Sequence, residues 1–501
     1  MFRKVLIANR GEIACRIAAT LREMGIRPVA VCSEADRGAR HTRVADEVAI
    51  LGPAEARASY LNIEALIRAA RAAGAQAIHP GYGFLAEHAG FAAAVEDAGL
   101  IFIGPTPEQT RTMGDKRAAR ALAGGVGVPV VPGAEGDDAD ALAAAAKKIR
   151  YPVLLKPALG GGGKGMAVVG DEAALREGLE GARRLALSGF GDASVYLEKR
   201  LEHARHIEIQ VAGDGQGNVL HLFERECSLQ RRHQKVMEES PSCAVDAPLR
   251  ERLCGAAVAI ARAVKYRGVG TVEFLLGPDG KFYFLEMNTR LQVEHPVTEW
   301  VTGVDLVRLQ VEIAAEGRLP LDPSALAARG HAVEARVYAE DAARGFLPQA
   351  GRALRVRWPE SPFVRVDAGI ESGDEVPVHY DPILAKVIAY GPTRERALGR
   401  LAQALDESMV HGVITNLPFL RALARSPDVA RGRFDTEWIE REFLDGFAAL
   451  AGAPVPEMVL AAAALAEELG ANGASHARDG KVTAAEDPFV TAGRWRHPGL
   501  S

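Results

Sequence analysis

Two glutamates, Glu273 and Glu286, stand in β-type runs on either side of Gly277-Pro278-Asp279-Gly280, a hairpin turn by composition. With Pro278 and Asp279 as the turn centre, Glu273 is expected opposite Phe284. Glu286 then becomes its diagonal neighbour on the same face, about 7–8 Å away between Cα atoms. Carboxylates this close repel unless a cation neutralises them, and an oxygen-only donor set favours Mg²⁺ or Mn²⁺ over zinc. The Asn288 amide falls one step further along that face. Arg290, Gln292 and Glu294 continue the even, polar positions, while Leu285, Met287, Leu291 and Val293 take the odd ones. An extended chain therefore shows the polar set on one side until Pro296 ends regular pairing. A guanidinium binds oxyanions in a fork and a neighbouring carboxylate can take a proton, so the set suits a small planar anion. A solvated sheet face with unrelated acids shows the same pattern; the adjacency of the anion pocket to the acid pair favours a site.

The run Gly160-Gly161-Gly162-Gly163-Lys164-Gly165-Met166 has little intrinsic order, can bring backbone N–H groups close to an anion, and adds the charge of Lys164. It is not a Walker A loop, because Ala158 stands where the first glycine is required and Met166 where the metal-binding hydroxyl should be. Lys156, on the strand just before it, favours a phosphate-covering flap over a plain linker. Three polar clusters are weaker signals. Gln230 to Lys235 is a short basic run on an expected loop, Arg336 faces away from Val333 and Val337, and His206 shares a face with Glu208 and Gln210.

These groups need a scaffold, and 501 residues supply roughly three domains' worth of chain. Hydrophobic residues at 48% and charged residues at 25% describe a globular protein. A formal charge of −5 gives no global reason to expect nucleic acid or an anionic membrane as partner, so any anion site must be local. Five cysteines without CxxC spacing support neither a disulfide framework nor a structural zinc site, and fit a reducing cytoplasm. The apolar run Val5 to Ala8 is too short for a signal-peptide core or a membrane span. The first hundred or so residues alternate short β-type runs with Ala-rich helical stretches, which implies parallel βαβ units with sites at the strands' carboxyl ends. No GxGxxG follows the first strand, which disfavours a dinucleotide oxidoreductase. From His206 to Pro296 longer alternating strands read as an antiparallel sheet with one polar face, and a third unit extends to about Phe443.

Together the motifs resemble those of the biotin carboxylase component of biotin-dependent carboxylases, an ATP-grasp family. The matching runs are His79 to Glu87, Gly114 to Lys116, the tetraglycine loop, Arg205 to Gln210, Glu226 to Lys235, Glu286 to Pro296 and Glu334 to Asp341, in the family's order. The resemblance implies an α/β fold with a Rossmann-like domain over residues 1–115, an ATP-grasp domain over 116–330 with a glycine-rich lid at about 130–203, a C-terminal α+β domain over 331–446, and a tail over 447–501. By position it implies that Lys116, Lys156 and the loop Gly161, Gly162, Gly163, Lys164, Gly165 and Met166 cover the ATP phosphates. Glu198, Lys199 and Leu201 would lie at the adenine, and His206, Gln230 and His233 at the ribose and phosphates. Glu273 and Glu286 would bridge the metal with Asn288 beside them. Lys235, Arg290, Gln292 and the Val293 backbone would form the bicarbonate pocket, with Glu294 as general base, Arg336 as stabiliser of the biotin enolate and Tyr82 near biotin.

The implied reaction is ATP- and bicarbonate-dependent carboxylation of biotin at N1′ through carboxyphosphate, with Mg²⁺ or Mn²⁺. The implied partners are a biotin carboxyl carrier and a carboxyltransferase β subunit, with homo-oligomerisation expected and neither nucleic acid nor membrane involved. Arg336-Val-Tyr-Ala-Glu-Asp341 followed by Gly345-Phe-Leu-Pro348 is more similar to α subunits of methylcrotonyl- or propionyl-type acyl-CoA carboxylases than to the free-standing acetyl-CoA enzyme. No Met-Lys-Met biotin acceptor occurs, and Asp487 to Trp495 resembles the start of a further region, so a piece of a longer subunit and a subunit served by a separate carrier both remain open. The alternatives are another ATP-grasp ligase, such as a carbamoyl-phosphate synthetase half, and a silent nucleotide-binding regulatory subunit.

Overall fold

A computed structural model describes residues 1–136, 138–157, 167–190, 194–451, 457–458, 461 and 464–465. The tetraglycine loop and the tail beyond 465 lie outside these residues. Met1–Phe447 is one compact unit and Ala448–Ser501 a second.

The N-terminal strands β1 (Lys4–Ile7), β2 (Arg27–Ser33), β3 (Glu47–Gly52), β4 (Ala77–His79) and β5 (Ile101–Phe102) form the expected parallel sheet in the order β3-β2-β1-β4-β5. Its order reverses between β1 and β4, so a crevice opens beyond their carboxyl ends. Asn9 lies just past β1, and its amide donates to the carbonyls of Pro80 at 2.8 Å and Tyr82 at 2.7 Å. This clamp works because Gly81 has φ +64°, and a Cβ there would meet the Asn9 amide nitrogen at 2.9 Å.

A small antiparallel sheet follows, built from β6 (Gly133–Glu135), β7 (Val153–Pro157), β8 (Ala167–Val169) and β9 (Val195–Lys199) in the order β6-β9-β7-β8. The longer strands are β10 (Arg205–Asp214), β11 (Val219–Arg231), β12 (Gln234–Ser240), β13 (Arg267–Leu276), β14 (Phe282–Asn288) and β15 (His331–Tyr338). One face of β10 and β13 places Ile207, Ile209, Val211, Val272 and Phe274 in an apolar core with the helix Ala247–Ala263. On the other face Glu208, Gln210 and Glu273 are buried rather than solvated. The main strands of the third unit do not build a separate sheet, and only short two-stranded ribbons stand apart. β15 pairs with β12, Met237 opposite Ala335, and the strands Ile383–Gly391 and Val364–Ala368 extend the same eight-stranded sheet. Continuing the ladder satisfies the edge of β12 that a free-standing sheet would leave unpaired.

The hairpin differs from the sequence expectation. The register runs Leu276 to Phe282, Leu275 to Tyr283 and Phe274 to Phe284, then shifts so that Glu273 lies directly opposite Glu286 and not opposite Phe284. The turn is centred on Asp279 and is one residue longer than expected, with Gly277 N–H bonded to Lys281 O at 2.8 Å, and Leu285 is the extra residue of a bulge. The alternation beyond Asn288 also does not persist. β14 ends there, and Glu294 is the residue before the helix His295–Thr302. Arg290, Gln292 and Glu294 are therefore gathered by a folded turn and not by a strand face.

Candidate functional site

Glu273 is the centre of a buried polar network. It accepts hydrogen bonds from the Asn288 and Gln292 amides, both at 2.8 Å, and from Lys235 Nζ at 3.1 Å, and it pairs with His206 Nε2 at 2.9 Å. Burial opposes its charge, but Lys235 and His206 outweigh that and hold the Glu273 carboxyl far below the usual range. Lys235 also donates to Glu294 Oε1 at 2.7 Å and is ion-paired to Glu208. One ammonium thus ties Glu273 and Glu208 to Glu294.

The second oxygen of Glu294 accepts from Arg336 Nη2 at 2.9 Å, and the same nitrogen lies 2.5 Å from Glu238. Burial raises the Glu294 carboxyl, yet Lys235, then Arg336 and Arg225, outweigh it and keep it well below the ordinary value. Burial pushes the Glu238 carboxyl up to about 7. Arg290 turns its fork on Glu87 at 2.9 Å and on Asn288 Oδ1 at 3.0 Å.

Glu286 has a different environment. Burial, then the charge of Glu273 across the ladder, raises its carboxyl, and Lys116 opposes the rise. Among the described residues it makes no hydrogen bond or ion pair, so its oxygens are available to a ligand. Two carboxylates and an amide, with no thiolate, on one face of adjacent strands are a donor set that fits Mg²⁺ or Mn²⁺.

Of the other expected residues, Lys156 is ion-paired with Glu198, which Arg120 grips from the other side. Lys199 Nζ is engaged by the carbonyls of Arg150 at 2.9 Å and Tyr151 at 3.2 Å, and Leu201 is half-buried just beyond β9. Gln230 is buried and pairs in register with Lys235. His233 is exposed at the β11–β12 tip, where Arg232 and His233 have φ of 48° and 64°. The Val293 carbonyl accepts from Lys386 at 2.9 Å, and Tyr82 is half-buried in the loop that Asn9 clamps. Gly161, Gly162, Gly163, Lys164, Gly165 and Met166 lie outside the described residues.

Sequence reasoning missed Arg225 as a functional residue. It is 0% exposed and donates to Glu208 at 2.9 Å, Gln210 at 2.6 Å, Thr271 and Thr298 at 3.0 Å, and also to Gln292. In the sequence it sits in Phe223-Glu-Arg-Glu226, which looks like a solvated strand. Glu87 lies within one of the quoted runs but its carboxylate was assigned no task.

Residues 1–110 match the family model described as "Biotin carboxylase, N-terminal domain", residues 115–322 "Carbamoyl-phosphate synthase L chain, ATP binding domain", and residues 334–441 "Biotin carboxylase C-terminal domain". The biotin carboxylase of Pseudomonas aeruginosa is 47% identical over 445 residues, covering 88% of this chain and 99% of that protein. The chain belongs to the biotin carboxylase family. Members of this family are ATP-dependent ligases, and the three-domain α/β architecture is theirs. The carbamoyl-phosphate synthase model covers only the middle domain, and both flanks match biotin carboxylase domains, so the rival ligase class is not favoured.

The mitochondrial methylcrotonoyl-CoA carboxylase subunit alpha of Oryza sativa subsp. japonica is 50% identical over 442 residues, 87% of this chain and 60% of that protein. The chain thus spans about 60% of the length of such alpha subunits. Among solved structures, the Campylobacter jejuni biotin carboxylase matches with TM-score 0.86 and 41% identity, covering 88% of this chain and 99% of that one. The biotin carboxylase domain of the Hydrogenobacter thermophilus 2-oxoglutarate carboxylase, in complex with MgADP, ADP and bicarbonate, matches with TM-score 0.84 and 42% identity, covering 88% and 97%. No helix among the described residues is long and apolar enough to cross a membrane.

Proposed function

We propose that the chain carboxylates biotin at N1′, using ATP and bicarbonate, as the first half-reaction of an acyl-CoA carboxylase of the methylcrotonyl or propionyl type. The observation that carries this reading is the position of Lys235 Nζ between Glu273 at 3.1 Å and Glu294 at 2.7 Å, where it would join a nucleotide-metal site to an anion pocket.

Glu273 and Glu286 would hold a divalent ion with Asn288 beside them; when bound, the ion neutralises phosphate charge. Lys116 and Lys156 would face the phosphates, with the glycine-rich loop as a lid that keeps water from a labile acyl phosphate. Lys235, Arg290 and Gln292 would bind bicarbonate, and Glu294 would take its proton so that the bicarbonate oxygen attacks the γ-phosphorus and ADP leaves. A carboxylate held low by Lys235 and Arg336 is a weak base. Anionic substrates entering the pocket would draw both cations off Glu294 and raise its basicity just as the proton is to be moved. Arg336, drawn from Glu294 but still paired with Glu238, would then offset the charge that grows on the acceptor as phosphate removes its N1′ proton and CO₂ is transferred. The acceptor is read as biotin on a carrier protein or domain, near Tyr82, and the product as the substrate of a carboxyltransferase β subunit. Homo-oligomerisation and a cytoplasmic setting belong to the same reading.

The test is ATP hydrolysis with Mg²⁺, with and without bicarbonate and free biotin. Hydrolysis should require bicarbonate and rise with biotin, and Glu294→Gln should lower it about a hundredfold or more while still binding nucleotide. A folded preparation that biotin does not stimulate overturns the reading. Loss of nucleotide binding in Glu294→Gln would reassign that residue.

A further inference from the structure

Lys386 lies in the strand Ile383–Gly391 and is 0% exposed. Across the ladder it stands opposite Arg336 on one side and Asp367 on the other. Its ammonium donates to the Val293 carbonyl at 2.9 Å and lies 3.5 Å from Glu12 and 3.6 Å from Asp367. The contact to Val293 is therefore its shortest, and it falls on the one residue between Gln292 and Glu294.

That turn is held carbonyl by carbonyl. The Gln292 carbonyl contacts His295 Nδ1 at 2.7 Å and the Glu294 carbonyl accepts from Val297 N–H at 3.3 Å, both from within the following helix. The Val293 carbonyl has its partner on a strand 93 residues away. Burying an ammonium costs several kcal/mol before any pairing, and an apolar side chain would fill a central strand without that cost. The cation is explained by what it holds.

We propose that Lys386 is a positioning residue that fixes the Val293 carbonyl and so keeps Gln292 and Glu294 in register with Lys235 and Arg336. It also joins Glu12, on the helix Gly11–Glu23 of the N-terminal sheet, to the anion pocket. The inference rests on the function proposed above, in which Glu294 and Gln292 serve bicarbonate and the nucleotide is held elsewhere.

The experiment compares the wild type, Lys386→Met and Lys386→Met/Glu12→Gln, the double variant removing the acid that the first leaves unpaired. Bicarbonate-dependent ATP hydrolysis with free biotin is measured alongside ATP affinity and melting. An inactive wild type refutes the function and says nothing about Lys386. With an active wild type, both variants should show a bicarbonate KM raised about tenfold or more and a lower kcat, as expected for one lost hydrogen bond from a charged donor. Their ATP affinity should stay within about twofold of the wild type, and the double variant should regain melting temperature without regaining bicarbonate KM. An unchanged bicarbonate KM in a folded variant, or its recovery in the double variant, overturns the proposal, because the ammonium would then only neutralise Glu12. Loss of cooperative melting in both variants makes Lys386 structural and also overturns it.

Discussion

At the scale of single residues the site is a balance of buried charges. Lys235 is shared by Glu208, Glu273 and Glu294, and Arg336 by Glu238 and Glu294, so no acid owns its cation. Glu238 shows the consequence most clearly, because burial raises its carboxyl to about 7 from an ordinary 4.5. Between those values the folded protein keeps a proton that the unfolded chain gives up. Stability from this group is therefore full at low pH and is lost as pH rises through about 7. Glu238→Gln cannot titrate, so the melting temperature of the variant relative to wild type should climb from pH 5 to pH 8, by an amount corresponding to about 3 kcal/mol. A difference that is flat or falls with pH would show that Glu238 is ionised throughout.

Among elements, the bulge at Leu285 and the early end of β14 do the placing. Without the shift, Leu285 would stand opposite Glu273, and Glu286 would stand opposite Val272 on the apolar face; with it, the two carboxylates face each other. The turn after Asn288 then brings Gln292 back onto Glu273 at 2.8 Å, which an extended strand could not do. The loop carrying Tyr82 is set in the same way by the Asn9 clamp on Pro80 and Tyr82. Gly81→Ala must either take a strained φ of +64° or push against the Asn9 amide. It should cost about 1–3 kcal/mol of stability and raise the biotin concentration needed for stimulation, while ATP affinity holds. Differential scanning calorimetry and biotin titration check both parts, and wild-type values in both would remove the clamp from the account.

At the scale of the whole molecule, one eight-stranded sheet runs through what the sequence divides into a nucleotide-binding domain and a C-terminal domain. Arg336 on β15 can therefore reach Glu294 at 2.9 Å although the two belong to different stretches of chain. Met1–Phe447 is compact in itself, with apolar clusters covering the face of this sheet that turns away from the site. A chain ending at Phe447 should fold, melt cooperatively and keep biotin-stimulated ATP hydrolysis. Aggregation or loss of the biotin effect in that truncation would show that residues 448–501 contribute to the working unit.

The family and the parallel N-terminal sheet were legible in the sequence, and so was the grouping of Glu273, Glu286, Asn288, Gln292 and Glu294 near one another, because these depend on local patterns: strand alternation, turn composition and short motifs in a fixed order. The register of Glu273 against Glu286 was not, since a single bulge residue changes the pairing without changing hydrophobic alternation enough to read. Arg225 and Lys386 were also hidden, because a charged residue in a strand looks solvated until the partner arriving from a distant segment is known. Composition and spacing determined which groups this protein can bring to its chemistry. Tertiary structure alone decided which carboxylate each cation holds, because in a desolvated interior a charge is tolerated only where a partner from elsewhere in the chain reaches it.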